Sequence, residues 1–243
     1  MAHMDWTFLG TVAYEKALQI QYALAGEVAA GADPVLFMLS HPPTVTLGRS
    51  ADPKNLKLSE EEYADRGIEV FRVRRGGDVT FHGPGQLIGY PLASIRSLGI
   101  SVPAWVRGFA EVIIAYLRQI GVEARWSADN PGVWVGDEKI AALGFHISRG
   151  VSTHGFALNI DPDLSCYETI VPCGIRQHGV TSIARQAVAV PRMEDAAAEL
   201  AIITAREFGF GRGRQLPAST FVGPAGISPP DSAGTWKTRD VHP

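Results

Sequence analysis

Apolar positions in this chain follow two periods, and glycine, proline or a capping residue marks most switches between them. Residues 6–9 are a short extended run. Thr11 then reads as the cap of a helix whose apolar face takes Tyr14, Ala17, Leu18, Ile20, Leu24 and Val28. Residues 34–39 have the continuous apolar character of a buried strand. His41-Pro42-Pro43 breaks that run, residues 45–47 resume it, and Gly48-Arg49-Ser50 turns it. Ser59 with Glu62 three positions later is a capping-box pair for a short charged helix that closes at Gly67. Extended runs follow over 68–73, 78–81 and 86–92. The clearest helical period opens at Pro103, carries Val102, Trp105, Val106, Phe109, Val112, Ile113, Tyr116, Leu117 and Ile120, and stops at Gly121. Further strands are expected over 123–126, 133–135, 140–147 and 152–160, with Gly136-Asp137-Glu138 as a hairpin turn, before a last amphipathic helix over 193–208. Runs of strands with segregated helices predict an α+β fold of mixed or antiparallel sheets flanked by helices.

The chain has 243 residues, 46% hydrophobic and 19% charged, enough for one large core. One domain is expected over residues 5–210. Residues 1–4 read as an expression-tag remnant with Met4 as the natural start, and the Gly/Pro-rich residues 211–243 as a flexible tail. A net charge of -3 gives no global basic field, which argues against nucleic acid as a partner. No apolar run approaches the ~20 residues that cross a bilayer, so no membrane is expected. With that pattern, two cysteines point to free thiols in a reducing cytoplasm.

The segment Arg75-Gly76-Gly77-Asp78-Val79-Thr80-Phe81-His82-Gly83-Pro84-Gly85-Gln86 holds four glycines and a proline between two strand-like runs. Such a loop lets a ligand approach the backbone, and it serves equally as a turn. Arg74 and Arg75 suit a phosphate or simple solvation. Cys173, framed by Pro172 and Gly174, sits on an open, bent backbone. Cys166 has no such frame and reads as packing. A nucleophilic thiol needs a base or cation beside it. Lys139 opens the small-residue strand Ile140-Ala141-Ala142-Leu143-Gly144 and is a candidate, against the simpler reading of a solvated lysine at a hairpin corner. His82 and His154 are rival activators. Cys166, Cys173 and His178 lack both a CxxC pair and a fourth ligand, so no metal is expected. Neither GxxxxGK[ST] nor GxGxxG between strand and helix occurs.

Taken together, the loop 75–86, Lys139-Ile140-Ala141-Ala142-Leu143-Gly144, His154-Gly155-Phe156-Ala157-Leu158-Asn159, Pro172-Cys173-Gly174-Ile175 and Val180-Thr181-Ser182 resemble the lipoyl(octanoyl) transferases. His41-Pro42-Pro43 and Leu47-Gly48-Arg49 fit the same pattern, and the resemblance runs from Trp6 to Phe208. Phe81 departs from it, since the family commonly has Tyr or Trp there, which bears on the pocket wall. The resemblance implies the biotin and lipoate protein ligase fold, with Cys173 as acyl-thioester nucleophile and Lys139 as its activator and proton shuttle. Substrate contacts are implied at Arg75, Gly76, Gly77, Asp78, Val79, Thr80, Phe81 and His82, at Ala142, Leu143 and Gly144, and at Gly155, Phe156 and Ala157. It implies octanoyl-acyl carrier protein as donor, no cofactor, and as acceptors the lipoyl domains of 2-oxoacid dehydrogenase E2 subunits and glycine cleavage H protein. A basic patch involving Arg49, Arg72, Arg74, Arg149 or Arg176 would suit these acidic partners. An ATP-dependent lipoate-protein ligase, a cysteine thioester hydrolase and a non-catalytic binding module are the alternatives.

Overall fold

The computed structural model describes residues 2–171, 179–221 and 239–240. The strands are β1 Asp5–Thr11, β2 Val35–Ser40, β3 Thr44–Leu47, β4 Glu69–Arg72, β5 Val79–His82 and β6 Gln86–Leu92, then β7 Arg125–Ser127, β8 Gly132–Val135, β9 Glu138–Ser148, β10 Val151–Asn159, β11 Gly179–Val180 and β12 Arg239–Asp240. The helices are α1 Tyr14–Ala29, α2 Glu60–Asp65, α3 Val102–Gln119, α4 Ile183–Gln186 and α5 Met193–Glu207.

The main sheet has the order β1-β2-β6-β10-β9-β8-β7, with β11 beside β9. It is antiparallel except for the β1–β2 and β9–β11 pairs. A smaller sheet runs β12-β4-β3-β5. Every residue of β2, β6 and β10 is buried, because helices cover both faces of the main sheet. On one face, Trp105, Phe109 and Ile113 of α3 and Leu200 of α5 close over Phe145 and Phe156. The rings of Trp105 and Phe208 lie 4.7 Å apart, those of Phe109 and Phe145 5.5 Å. On the other face, Ala17 and Ile20 of α1 pack on Phe37, Ile88 and Leu92. A third core joins the small sheet to the 3-10 turn Leu164–Thr169 through Val45, Val79, Phe81 and Tyr167.

Three expectations meet a different outcome. Thr11 does not cap α1: it ends β1 opposite Ser40, and Ala13 holds the cap position with no side-chain bond. Pairing with β2 has drawn Thr11 into the ladder. Phe81 lies in the third core, its ring 5.8 Å from that of Tyr167, because its neighbours on the strand take the opposite side. Residues 211–221 are not a free tail: Trp6 N–H donates to Arg214 O at 3.0 Å, Leu216 N–H to Trp6 O at 2.7 Å, and Arg214 pairs with Asp5 at 2.9 Å. This segment covers an edge strand whose backbone would otherwise lack partners, a need that composition does not display. Among the described residues no helix is long and apolar enough to cross a membrane.

Candidate active site

The glycine-rich loop is organised by its own two charged residues. Arg75 is buried and donates from Nε to Thr46 Oγ1 at 3.0 Å, from Nη2 to Thr46 O and Asp78 O at 2.7 Å each, and from Nη1 to Gly76 O at 2.9 Å. Asp78 accepts from Val79 N–H at 2.7 Å and from Asn55 Nδ2 at 2.6 Å. The loop is laid on the main sheet by Gly76 N–H, which donates to Phe145 O at 2.9 Å. That approach depends on Gly144, where a Cβ would stand 3.0 Å from Gly76 O and 3.2 Å from Arg75 Cδ.

Between this loop, β9, β10 and α3 lies a cavity of about 420 Å³, within the ~300–1,000 Å³ usual for small-molecule sites. Arg75 to Thr80 and His82 line it from the loop, Ala142 to Gly144 from β9, and Gly155 to Ala157 from β10. Among the described residues named as substrate contacts, Phe81 does not line it. Val102 and Val106 of α3, Phe145, Tyr14 and Tyr90 add wall that no local pattern groups. They come from separate elements, and the helical stripes containing Tyr14 and containing Val102 and Val106 are their local signal. Gly155 is required where two strands meet, since a Cβ there would collide with the Gly89 carbonyl oxygen.

Lys139 reaches the same cavity and is 8% exposed. It is no solvated corner residue. Its Nζ donates to Pro131 O at 3.3 Å and lies 4.9 Å from the Trp134 ring centre. The stem passes Gly132, where a Cβ would stand 2.9 Å from Lys139 Cε.

The histidines have another character. His41, His82 and His154 are all buried, and burial is the main cause that holds each below the ordinary histidine value: His41 at about 4, His154 at about 3 and His82 well down, assisted at His82 by His41 and Arg75. Neutral at physiological pH, they donate and accept hydrogen bonds but are weak bases. His41 bonds Val12 O at 2.7 Å and Tyr90 OH at 2.8 Å. His154 sits at φ 55°, an unusual conformation within a strand, and its N–H donates to Gln21 Oε1 at 2.7 Å.

Cys173, Arg176 and His178 lie outside the described residues. The flanks are placed: Val171 N–H donates to Asn55 O at 2.7 Å, while Val180 pairs with Lys139 and Thr181 N–H donates to Lys139 O at 3.0 Å. Cys166 is half-buried, and burial pushes its thiol up from the ordinary value. Among the described residues no group of His, Cys, Asp and Glu could hold a metal ion. Arg49, Arg72, Arg74 and Arg149 are exposed, and burial, with Arg49 and Arg74 nearby, holds His146 below the ordinary histidine value.

Residues 13–202 match the model of the lipoyl protein ligase A/B catalytic domain. The octanoyltransferase of Alkaliphilus metalliredigens is 46% identical over 183 residues, covering 74% of this chain and 84% of its own. That of Acidobacterium capsulatum is 39% identical over 222 residues, covering 86% and 89%. Among solved structures, a bi-partite lipoate protein ligase from Thermoplasma acidophilum superposes with a TM-score of 0.68 over 90% of both chains. At 17% identity that likeness concerns the fold alone.

Proposed function

This chain belongs to the lipoyl protein ligase A/B catalytic-domain family, and from that premise we propose that it moves an octanoyl group from octanoyl-acyl carrier protein to the target lysine of lipoyl domains through a thioester on Cys173. The acceptors are the lipoyl domains of 2-oxoacid dehydrogenase E2 subunits and glycine cleavage H protein. Support comes first from the cavity: a buried lysine lines a space walled by Ala142, Leu143, Gly155, Phe156 and Ala157. A straight alkyl chain needs such a wall. Burying about six methylenes at ~0.8 kcal/mol each gives on the order of 5 kcal/mol of gross affinity.

In the first step the Cys173 thiolate attacks the donor carbonyl, the bond to the phosphopantetheine sulfur breaks, and Lys139 returns a proton to that sulfur. In the second, the acceptor amine attacks the enzyme thioester, Lys139 takes the amine proton, and the Cys173 sulfur leaves. Thioester exchange is nearly isoenergetic, whereas amide formation runs downhill and gives the reaction its direction. Negative charge grows on the carbonyl oxygen in both steps and needs a fixed donor. Gly76 N–H is already bonded to Phe145 O. Alternation along β9 turns Leu143 N–H the same way as the Phe145 carbonyl, away from β10 and past the end of β8, so Leu143 is the backbone donor favoured here.

The relatives named octanoyltransferase, at 46% and 39% identity, favour transfer over ATP-dependent ligation. Intact-protein mass spectrometry after mixing with octanoyl carrier protein tests the reading. One hydroxylamine-labile octanoyl adduct is expected, lost in Cys173→Ser and formed at least ~100-fold more slowly in Lys139→Ala. An adduct that persists in Cys173→Ser removes the thioester. Free octanoate as the main product would make the protein a hydrolase.

A further inference from the structure

The end of the cavity away from Lys139 is polar. His154 stands opposite Phe145 on β9, six positions beyond Lys139, which is ~20 Å along the strand at ~3.4 Å per residue. Between them the facing pairs Ala157–Ala142, Phe156–Leu143 and Gly155–Gly144 line the space. Tyr14 of α1 and Tyr90 of β6 close it around His154. The rings of Tyr90 and His154 lie 6.4 Å apart, and the His41 ring lies 5.0 Å from Tyr14 and 6.0 Å from Tyr90. Tyr90 already has a partner. Val12 O only accepts, so Nδ1 of neutral His41 carries the ring proton and Nε2 accepts from Tyr90 OH at 2.8 Å. The Tyr14 hydroxyl and the ring nitrogens of His154, by contrast, have no hydrogen-bond partner among the described residues, although these residues are only 1% and 2% exposed. The unpartnered side-chain atoms that are fully enclosed among the described residues are Gln21 Nε2 and Trp105 Nε1. Those of Tyr14 and His154 therefore touch open space, and the space that both residues line is the cavity.

We propose that Tyr14 and His154 form a polar floor that keeps water beneath the tip of the acyl chain, and that this floor sets the longest chain the site accepts. The inference rests on the octanoyl-transfer reading above and names its specificity-determining residues. Its physical reason is desolvation. The Tyr14 hydroxyl and the neutral His154 ring each offer a donor and an acceptor, which suits an ordered water with its two to four partners. A methylene offers neither. An alkyl chain that stops short of the floor buries its length against Leu143 and Phe156 and leaves the water in place. One that reaches the floor strips both polar groups and replaces none of their hydrogen bonds. An apolar end would strengthen binding with each added methylene until the space is full, whereas a hydrated polar end turns that gain into a loss at one length.

The test sets nonanoyl and ω-hydroxyoctanoyl carrier proteins in competition for the enzyme and resolves the two adducts by mass. The chains have equal length and differ at the tip, so room at the floor affects them alike. The wild type should favour the hydroxylated chain by about tenfold, as expected for one buried hydrogen bond. Tyr14→Phe keeps the ring between His41 and Phe71, removes the hydroxyl, and should lower that preference by about the same factor. The preference is a ratio within one preparation, so a general loss of activity in the variant does not move it. A wild type that favours nonanoyl, or that transfers octanoyl and accepts neither longer chain, overturns the inference, and so does a preference unchanged in Tyr14→Phe. A wild type that forms no adduct even from octanoyl carrier protein overturns the functional reading instead. Calorimetric binding of nonanoic and ω-hydroxyoctanoic acids then decides the floor by the same ratio, and binding of neither acid overturns it.

Discussion

Arg75 and Asp78 look like ligand-binding charges in the sequence, yet both bond mainly to their own loop and its neighbours. A guanidinium can fill four directions at once, and an ammonium cannot. Arg75→Lys should therefore cost about 2 kcal/mol in urea unfolding even with the charge kept, and an unchanged midpoint would show that the fork is dispensable. The histidines give a second prediction at this scale. With His41 held at about 4 and His154 at about 3 against an ordinary 6.5, folded and unfolded chains bind equal protons above that ordinary value. As pH falls below it, the unfolded chain takes up protons that the fold refuses, so stability drops by up to ~1.4 kcal/mol per pH unit for each histidine. Urea midpoints between pH 7 and 5 should decline, and less steeply in His41→Gln. Equal slopes would mean that His41 titrates normally in the fold.

Among the elements, legibility tracked local chemistry. Ser59 and Glu62 form both bonds of the capping box, Ser59 N–H to Glu62 Oε2 at 2.7 Å and Glu62 N–H to Ser59 Oγ at 3.2 Å, as their spacing predicts. Ser59→Ala should cost ~1 kcal/mol, read from thermal or urea unfolding, with no loss of transfer because α2 lies away from the cavity. Helix α3 is legible to about one residue, since Pro103 and Gly121 punctuate a strong apolar period, and the structure adds Ser101 as its cap. Thr11 has cap chemistry but a strand partner, which hides the start of α1 in the sequence. Leu164–Thr169 and α4 are too short to show a period in the sequence. On β10, Gly155→Ala would force the strand from Gly89 and should cost more than 2 kcal/mol together with most transfer activity, measured by unfolding and by the octanoyl adduct.

Over the whole molecule, the helices bury both faces of the main sheet while the segment after α5 seals its β1 edge. Gly and Arg in that segment read as a loose tail, but the backbone bonds of Arg214 and Leu216 to Trp6 and the seating of Phe221 beside the α1 core hold it down. Removing residues 222–243 takes β12 from the β4 edge and sets the reference melting temperature. Cutting back to residue 210 should lower it by ~5 °C, a loss of about 2 kcal/mol for a domain of this size. Equal melting temperatures would show that the edge needs no cover.

The chain's own order of residues determined the α+β class, most strands, the bounds of α3 and the loops that face the cavity, because periodicity and turn chemistry act over a few neighbours. Only tertiary structure decided which of those residues meet. It turned Phe81 into another core, buried Lys139 beside Pro131 and Trp134, kept three histidines neutral, and left Tyr14 and His154 at the far end of the cavity. Desolvation and close approach depend on what packs from distant parts of the chain, and no local pattern encodes them.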